Sequence, residues 1–210
     1  MRYKFLQHLL QVFDQYQDQD LPLETQDFGM WLVAQEERNP DETLEQEVAS
    51  HISTYLGKMG KFFSFYHKKV LKQTDLTSLD ELIFLVTLYP SRILSKTDLI
   101  DENILEKTTG VEIIKRLKNR GYLEESADLE DKRKKNVQLS DKGKSLVELL
   151  DEDLQQVAVV MGATLTSKEQ VQLFYLLKKL DTAHRKVYMD FRDASLADIL
   201  KMFQREEETS

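Results

Sequence analysis

A mainly α-helical protein carrying one small β-hairpin is the fold class this sequence predicts, on three observations. Apolar residues recur at spacings of three and four along most of the 210 residues, the period of a half-buried helix. Seven glycines and three prolines are too few for the turns of an all-β sandwich. Between Ser95 and Gly143, two short helical stretches, a glycine stop and a hairpin with a basic tip follow one another without a spacer. Helix, helix and hairpin in that order are what a winged helix-turn-helix requires, here flanked by long helices.

The elements are read in chain order. Phe5, Leu6, Leu9, Leu10, Val12 and Phe13 form the stripe of a first helix between Tyr3 and Tyr16, and Leu21-Pro22 resets the backbone. A second helix from about Glu24 to Glu37 carries Phe28, Trp31 and Leu32. After the Asn39-Pro40-Asp41 turn, a long helix runs from Asp41 to about Lys72, with apolar positions from Leu44 through Ile52, Leu56, Met59 and Phe63 to Val70. At 1.5 Å per residue it spans about 45 Å, more than one small domain covers, so a partner chain is expected. Ser78 with Glu81 has capping-box spacing and starts a helix from Leu79 to Tyr89. Ser95 with Asp98 starts a short helix to about Asn103, and Thr108 and Thr109 open one that stops at Gly121. Tyr122 to Ala127 and Asn136 to Leu139 read as the two strands of one hairpin. Ser140 caps a helix from Asp141 to about Val160, and Thr166 with Glu169 opens a last helix bearing Val171, Phe174, Leu177, Leu180, Ala183 and Val187, after which the end from Gln204 frays.

Composition narrows the function. The absence of cysteine excludes disulfides and thiolate metal sites. No apolar run reaches the roughly 18–20 residues of a membrane span, and the N-terminal segment lacks a signal-peptide core, so a cytoplasmic location is expected. His8, His51, His67 and His184 show no metal-ligand pairing, and neither a glycine-rich phosphate loop nor a nucleophile motif is present. Neither a cofactor nor an enzymatic activity is expected. The net charge is −8, yet residues 107–144 hold 11 Lys and Arg against 7 Asp and Glu, leaving −12 on the remainder. A basic module on an acidic body points to an anionic partner for that module alone.

In the helix ending at Gly121, Val111, Ile114 and Leu117 with Ile113 form the face expected to pack on Leu82, Leu85 and Leu99. Thr109, Gly110, Glu112, Lys115, Arg116 and Asn119 are then outward. The N-terminal part of such a helix reaches base edges and its flanks meet phosphates. Thr108, Thr109 and Glu112 are therefore candidate base readers, while Lys107, Lys115, Arg116 and Lys118 suit phosphates. The hairpin tip places Lys132, Arg133, Lys134 and Lys135 together, and an arginine there can enter a narrow minor groove. The aromatic cluster of Phe62, Phe63, Phe65 and Tyr66 with Tyr89 reads as hinge and dimer packing, with an effector pocket as the alternative.

Residues from about Leu76 to Leu146 resemble the winged-helix domain of MarR-family transcription regulators. The resemblance rests on Asp131-Lys132-Arg133, similar to the family's D-x-R wing motif, on Val137-Gln138-Leu139-Ser140-Asp141-Lys142-Gly143, similar to its exit into the next helix, and on Ile113 to Leu123. Ser140 stands where a threonine is usual, and about 45 N-terminal residues have no counterpart. The resemblance implies that Arg133 is the minor-groove residue, that Asp131 braces the wing by a salt bridge, and that the flanking helices form a homodimer.

The expected organisation is an N-terminal helical extension (1–40), a dimerisation helix (41–75), a winged-helix domain (76–146) and C-terminal dimerisation helices (147–205). The expected function is sequence-specific binding of double-stranded DNA at an inverted-repeat operator, as a repressor released by a small-molecule effector. The alternative is a winged fold serving as a protein-interaction module.

Overall fold

Capping residues set most of the element boundaries in the computed structural model, which describes residues 42–127 and 135–207 together with Leu10, residues 12–14, Tyr16 and Phe28. Helix α1 (Glu42–Leu71) matches the long helix expected from its stripe. Helix α2 (Leu79–Leu88) begins where the Ser78 hydroxyl accepts the amide of Glu81. Strand β1 (Leu94–Ser95) leads into α3 (Lys96–Glu102), whose first turn is capped by the Ser95 hydroxyl. Helix α4 (Lys107–Asn119) is followed by β2 (Leu123–Ala127) and β3 (Lys135–Leu139). Ser140 caps α5 (Asp141–Met161), and Thr166 with Glu169 forms a complete capping box on α6 (Ser167–Asp190). Helix α7 (Leu196–Glu207) ends the described chain.

The chain divides into two compact units, residues 1–62 and 63–210. In the first, the Phe13 and Phe28 rings meet edge to face at 5.0 Å, and Tyr16 lies 5.3 Å from Phe28. Apart from the described positions, the two expected N-terminal helices and the Asn39–Asp41 turn lie outside the described residues.

The second unit is built around a three-stranded antiparallel sheet of order β1-β3-β2, with Leu94 opposite Val137 and Leu123 opposite Leu139. Alternation turns Val137 and Leu139 to one face, where they join Leu82, Leu85, Leu99, Ile113, Ile114 and Leu117 in one apolar core. Val147, Leu150 and Val157 bring α5 onto the same core. Leu82, Leu85, Leu88, Leu99 and Leu117 are all within 1% of full burial, so α2, α3 and α4 form a rigid base for the sheet.

Five sequence expectations need correction. The hairpin is the outer part of a three-stranded sheet, because Leu94-Ser95 pairs with Asn136 and Val137; two residues are too few to announce a strand. Helix α4 starts at Lys107 after Glu106, without a side-chain cap, rather than at the two threonines. Val111 is not a core residue, and Gly110 is not outward. The Ser78–Glu81 box is half formed: the hydroxyl caps, but the Glu81 carboxylate goes elsewhere. The last helix is two helices, and helical structure continues to Glu207 where fraying was expected from Gln204.

Candidate nucleic-acid interface

The turn joining α3 to α4 fixes where α4 starts. Asn103 ends α3, Ile104 takes φ 54°, and the Ile104 and Leu105 amides return to the Asp101 and Ile100 carbonyls at 3.1 and 3.2 Å. This is a Schellman ending with isoleucine at the left-handed position that glycine usually fills. A β-branched residue there costs roughly 1–2 kcal/mol, so neighbouring contacts must hold the turn. Helix α6 and the turn that follows it supply them. The Tyr188 hydroxyl donates to the Leu105 carbonyl at 2.9 Å, Arg185 Nη1 donates to the Glu102 carbonyl at 3.2 Å, and Arg192 pairs with the Glu106 carboxylate at 3.0 Å.

Close packing of α3 against α4 depends on Gly110. A Cβ there would lie 2.4 Å from Ile100 Cγ1, a buried side chain, so only glycine fits without displacement. Ile113, Ile114 and Leu117 continue that buried face, and Lys107, Thr108, Thr109, Val111, Glu112, Lys115 and Asn119 are exposed. The expected base readers and two of the four expected phosphate ligands, Lys107 and Lys115, thus lie on the solvent side.

The other two cations, Arg116 and Lys118, are held by carboxylates on either flank of α4. The Glu81 carboxylate, with no exposed surface, accepts Arg116 Nε and Arg120 Nη2 at 2.7 Å each and the Thr77 amide at 2.7 Å. Burial pushes the Glu81 carboxyl up, but the hydrogen bonds from Arg116, Thr77 and Arg120 outweigh it and leave the group below the usual glutamate value. The Arg116 side chain stays 42% exposed, and Nε is its one bonded nitrogen among the described residues, so its two Nη groups remain available.

On the opposite flank, Glu125 of β2 receives Lys118 Nζ at 2.6 Å and Lys96 Nζ at 2.5 Å, with Lys135 Nζ at 3.9 Å. Hydrogen bonds from Lys118 and Lys96 hold its carboxyl down at about 2. One carboxylate facing three ammonium groups leaves a local excess of positive charge at the base of the wing, and it ties α3, α4 and β3 together. Sequence reading missed both hubs, because each joins residues from different elements that only the tertiary fold brings together.

The wing's exit is equally constrained. Gly121 (φ 77°) stops α4, and the Tyr122 amide reaches the Leu117 carbonyl at 2.9 Å. The Ser140 hydroxyl donates to the Gly121 carbonyl at 2.6 Å and accepts the Gly143 amide at 3.0 Å, so serine suffices where threonine is usual. A Cβ on Gly143 would lie 2.2 Å from the Tyr122 carbonyl oxygen. The Tyr122 hydroxyl donates to Asp75 at 2.6 Å, and burial together with that carboxylate raises the phenol to about 12. The tip itself, with Asp131, Lys132, Arg133 and Lys134, lies outside the described residues.

With that geometry established, comparison with known proteins identifies the module. Residues 76–143 match the family model of a winged helix DNA-binding domain. Similar solved structures include BpsR of Bordetella bronchiseptica, described for regulation of its DNA binding by 6-hydroxynicotinic acid, at 25% identity and TM-score 0.56 over 62% of this chain and 98% of that one. A MarR transcriptional regulator from Methanosarcina mazei is similar at 20% identity and TM-score 0.59, over 66% of this chain and 99% of that one. MepR of S. aureus, solved with DNA, is similar at 22% identity and TM-score 0.55, over 62% and 96%. A search of curated proteins gives no match. The chain therefore carries a winged helix DNA-binding domain and has the fold of MarR-family regulators.

Proposed function

From a chain with a winged helix DNA-binding domain in the fold of the MarR-family regulators, we propose a DNA-binding transcriptional regulator that acts as a homodimer on an inverted-repeat operator. The observation that carries this reading is the solvent face of α4. Thr108, Thr109, Glu112, Lys115 and Asn119 stand exposed on a helix whose other face is locked into the core, as an element that enters a major groove must be. Thr108, Thr109 and Glu112 read base edges; Lys107, Lys115, Arg116 and Lys118 meet phosphates; the wing brings Lys132, Arg133 and Lys134 to the adjacent backbone and minor groove, with Asp131 bracing it.

Support for the homodimer comes from α6, which buries none of its residues within the chain although Val171, Phe174, Leu177 and Leu180 follow helical spacing. An apolar helix face of that length is stable in water when a second copy covers it. The 41–75 helix and the helices of 147–205 are the proposed dimer frame around the 76–146 reading domain. Two-fold symmetry then sets half-sites about 10 bp apart, or a multiple of that. Release by a small-molecule effector is the proposed regulation. The candidate place for it is an open groove of about 310 Å³ beside the turn that positions α4, lined by Ile104, His184, Val187, Tyr188, Phe191 and Ile199 together with Asp181, Arg185 and Arg192.

A mobility-shift assay with duplex DNA from upstream of its own coding sequence, at low salt, tests this. The wild type should shift the duplex, and Lys115→Ala and Arg133→Ala should weaken it. Absence of any shift would leave the protein-interaction alternative standing.

A further inference from the structure

Helix α4 has four branched or long apolar side chains, and three of them, Ile113, Ile114 and Leu117, are within 2% of full burial. The fourth, Val111, is 42% exposed. It lies one turn beyond Lys107 and Thr108 and one turn before Lys115, all exposed, so it is an apolar spot in a polar and cationic strip. Helix propensity does not favour a valine there, since β-branching lowers it, and Val111 is not among the buried core residues. A partner that matches Lys107, Val111 and Lys115 together offers anionic groups around an apolar point.

Duplex DNA offers that combination in the major groove, where the thymine C5-methyl group is the apolar feature among hydrogen-bonding edges and phosphates. Resting on the reading of α4 as the groove-entering helix, we infer that Val111 is a specificity-determining residue that seats a thymine methyl in each half-site. Its position in the first half of α4 is where such helices reach base edges, and its single preferred rotamer presents both methyls without loss of side-chain freedom. Val111 thereby supplies sequence preference that the threonines, which bond to several bases, do not.

The test uses the full-length protein and a duplex enriched by it from a randomised 30-base-pair library. Each thymine of the enriched site is replaced in turn by deoxyuridine, which removes the methyl and keeps every hydrogen bond. For the wild type, one replacement per half-site should weaken binding about four-fold, the effect of one methyl-sized apolar contact. Val111→Ala should bind the thymine duplex more weakly and lose the difference between thymine and deoxyuridine at that position. Lys115→Ala should bind more weakly throughout yet keep the difference, which separates a base contact from general loss of affinity. If no replacement matters to the wild type, or if Val111→Ala keeps the same discrimination, the inference is wrong. A wild type that enriches no sequence instead overturns the DNA-binding reading, and the inference falls with it.

Discussion

Glu81, fully buried near the start of α2, accepts the Nε of Arg116 at 2.7 Å, and the same oxygen accepts Arg120, also at 2.7 Å. Arg116 lies on α4 and Arg120 is its C-terminal cap residue, four positions on, so one carboxylate fixes that helix's rotation about its axis. Removing one partner of a buried pair costs about 3–5 kcal/mol when all charges are buried. Here the arginine side chains are 42% and 22% exposed and can turn to water, so Glu81→Ala should cost about 2 kcal/mol. Urea denaturation measures it, and a loss below about 0.5 kcal/mol would show that the pair does not hold the helix.

Glu125 makes a statement about pH. Its folded value of about 2 lies below the ordinary glutamate value of 4.5, so its stabilisation is complete above about pH 4.5 and is lost as pH falls toward 2. The shift corresponds to roughly 3 kcal/mol, reduced to about 1–2 kcal/mol because the paired lysines are a third or more exposed. Stability measured from pH 6 to pH 2.5 should fall less steeply in Glu125→Gln than in the wild type. Parallel curves would remove Glu125 from the account.

Gly110 is where helix propensity and packing oppose each other. On propensity alone, alanine would gain about 1 kcal/mol. Against that, its Cβ would sit within 2.9 Å of three atoms of the Ile100 side chain, and overpacking a filled core costs about 1–3 kcal/mol. Packing should win, making Gly110→Ala destabilising by about 1 kcal/mol in thermal or chemical denaturation. A stabilised variant would mean that α3 and α4 can separate at little cost.

These three sites show what was legible in the sequence and what was not. Caps are local chemistry, so Ser78, Ser95, Ser140 and Thr166 marked helix starts that the structure places at the same residues. The long stripe from Leu44 to Val70 likewise gave α1 nearly residue for residue. Val111 and Gly110 exchanged places because three-residue spacing alone does not say which edge of a helical stripe faces the core; Ile100, on another helix, decides that. The Glu81 and Glu125 hubs depend on tertiary pairing and left no local signal. The second C-terminal helix was missed although Ser195, whose hydroxyl accepts the Asp198 amide at 3.2 Å, marks its start with a local cap.

The exposed row on α6 gives a prediction about assembly. Phe174 is 58% exposed, so a charge there leaves the single chain's packing intact but opposes burial against a second copy. Phe174→Glu should sediment as a monomer at micromolar concentration, keep its helical circular dichroism, and bind DNA much more weakly than the wild type. A variant with an unchanged sedimentation coefficient would place the dimer interface elsewhere.

The central claim is that α4 and the wing grip duplex DNA by its phosphates. The most direct test is the dependence of the dissociation constant on salt between about 50 and 200 mM, with a short duplex and purified wild-type protein. Each phosphate neutralised contributes about −0.9 to the slope of log affinity against log salt. A dimer contributing Lys107, Lys115 and the wing cations from both copies should give a slope of about −5 or steeper, and Lys115→Ala should flatten it by about 1–2. A slope near zero, or one that Lys115→Ala leaves unchanged, would contradict the account.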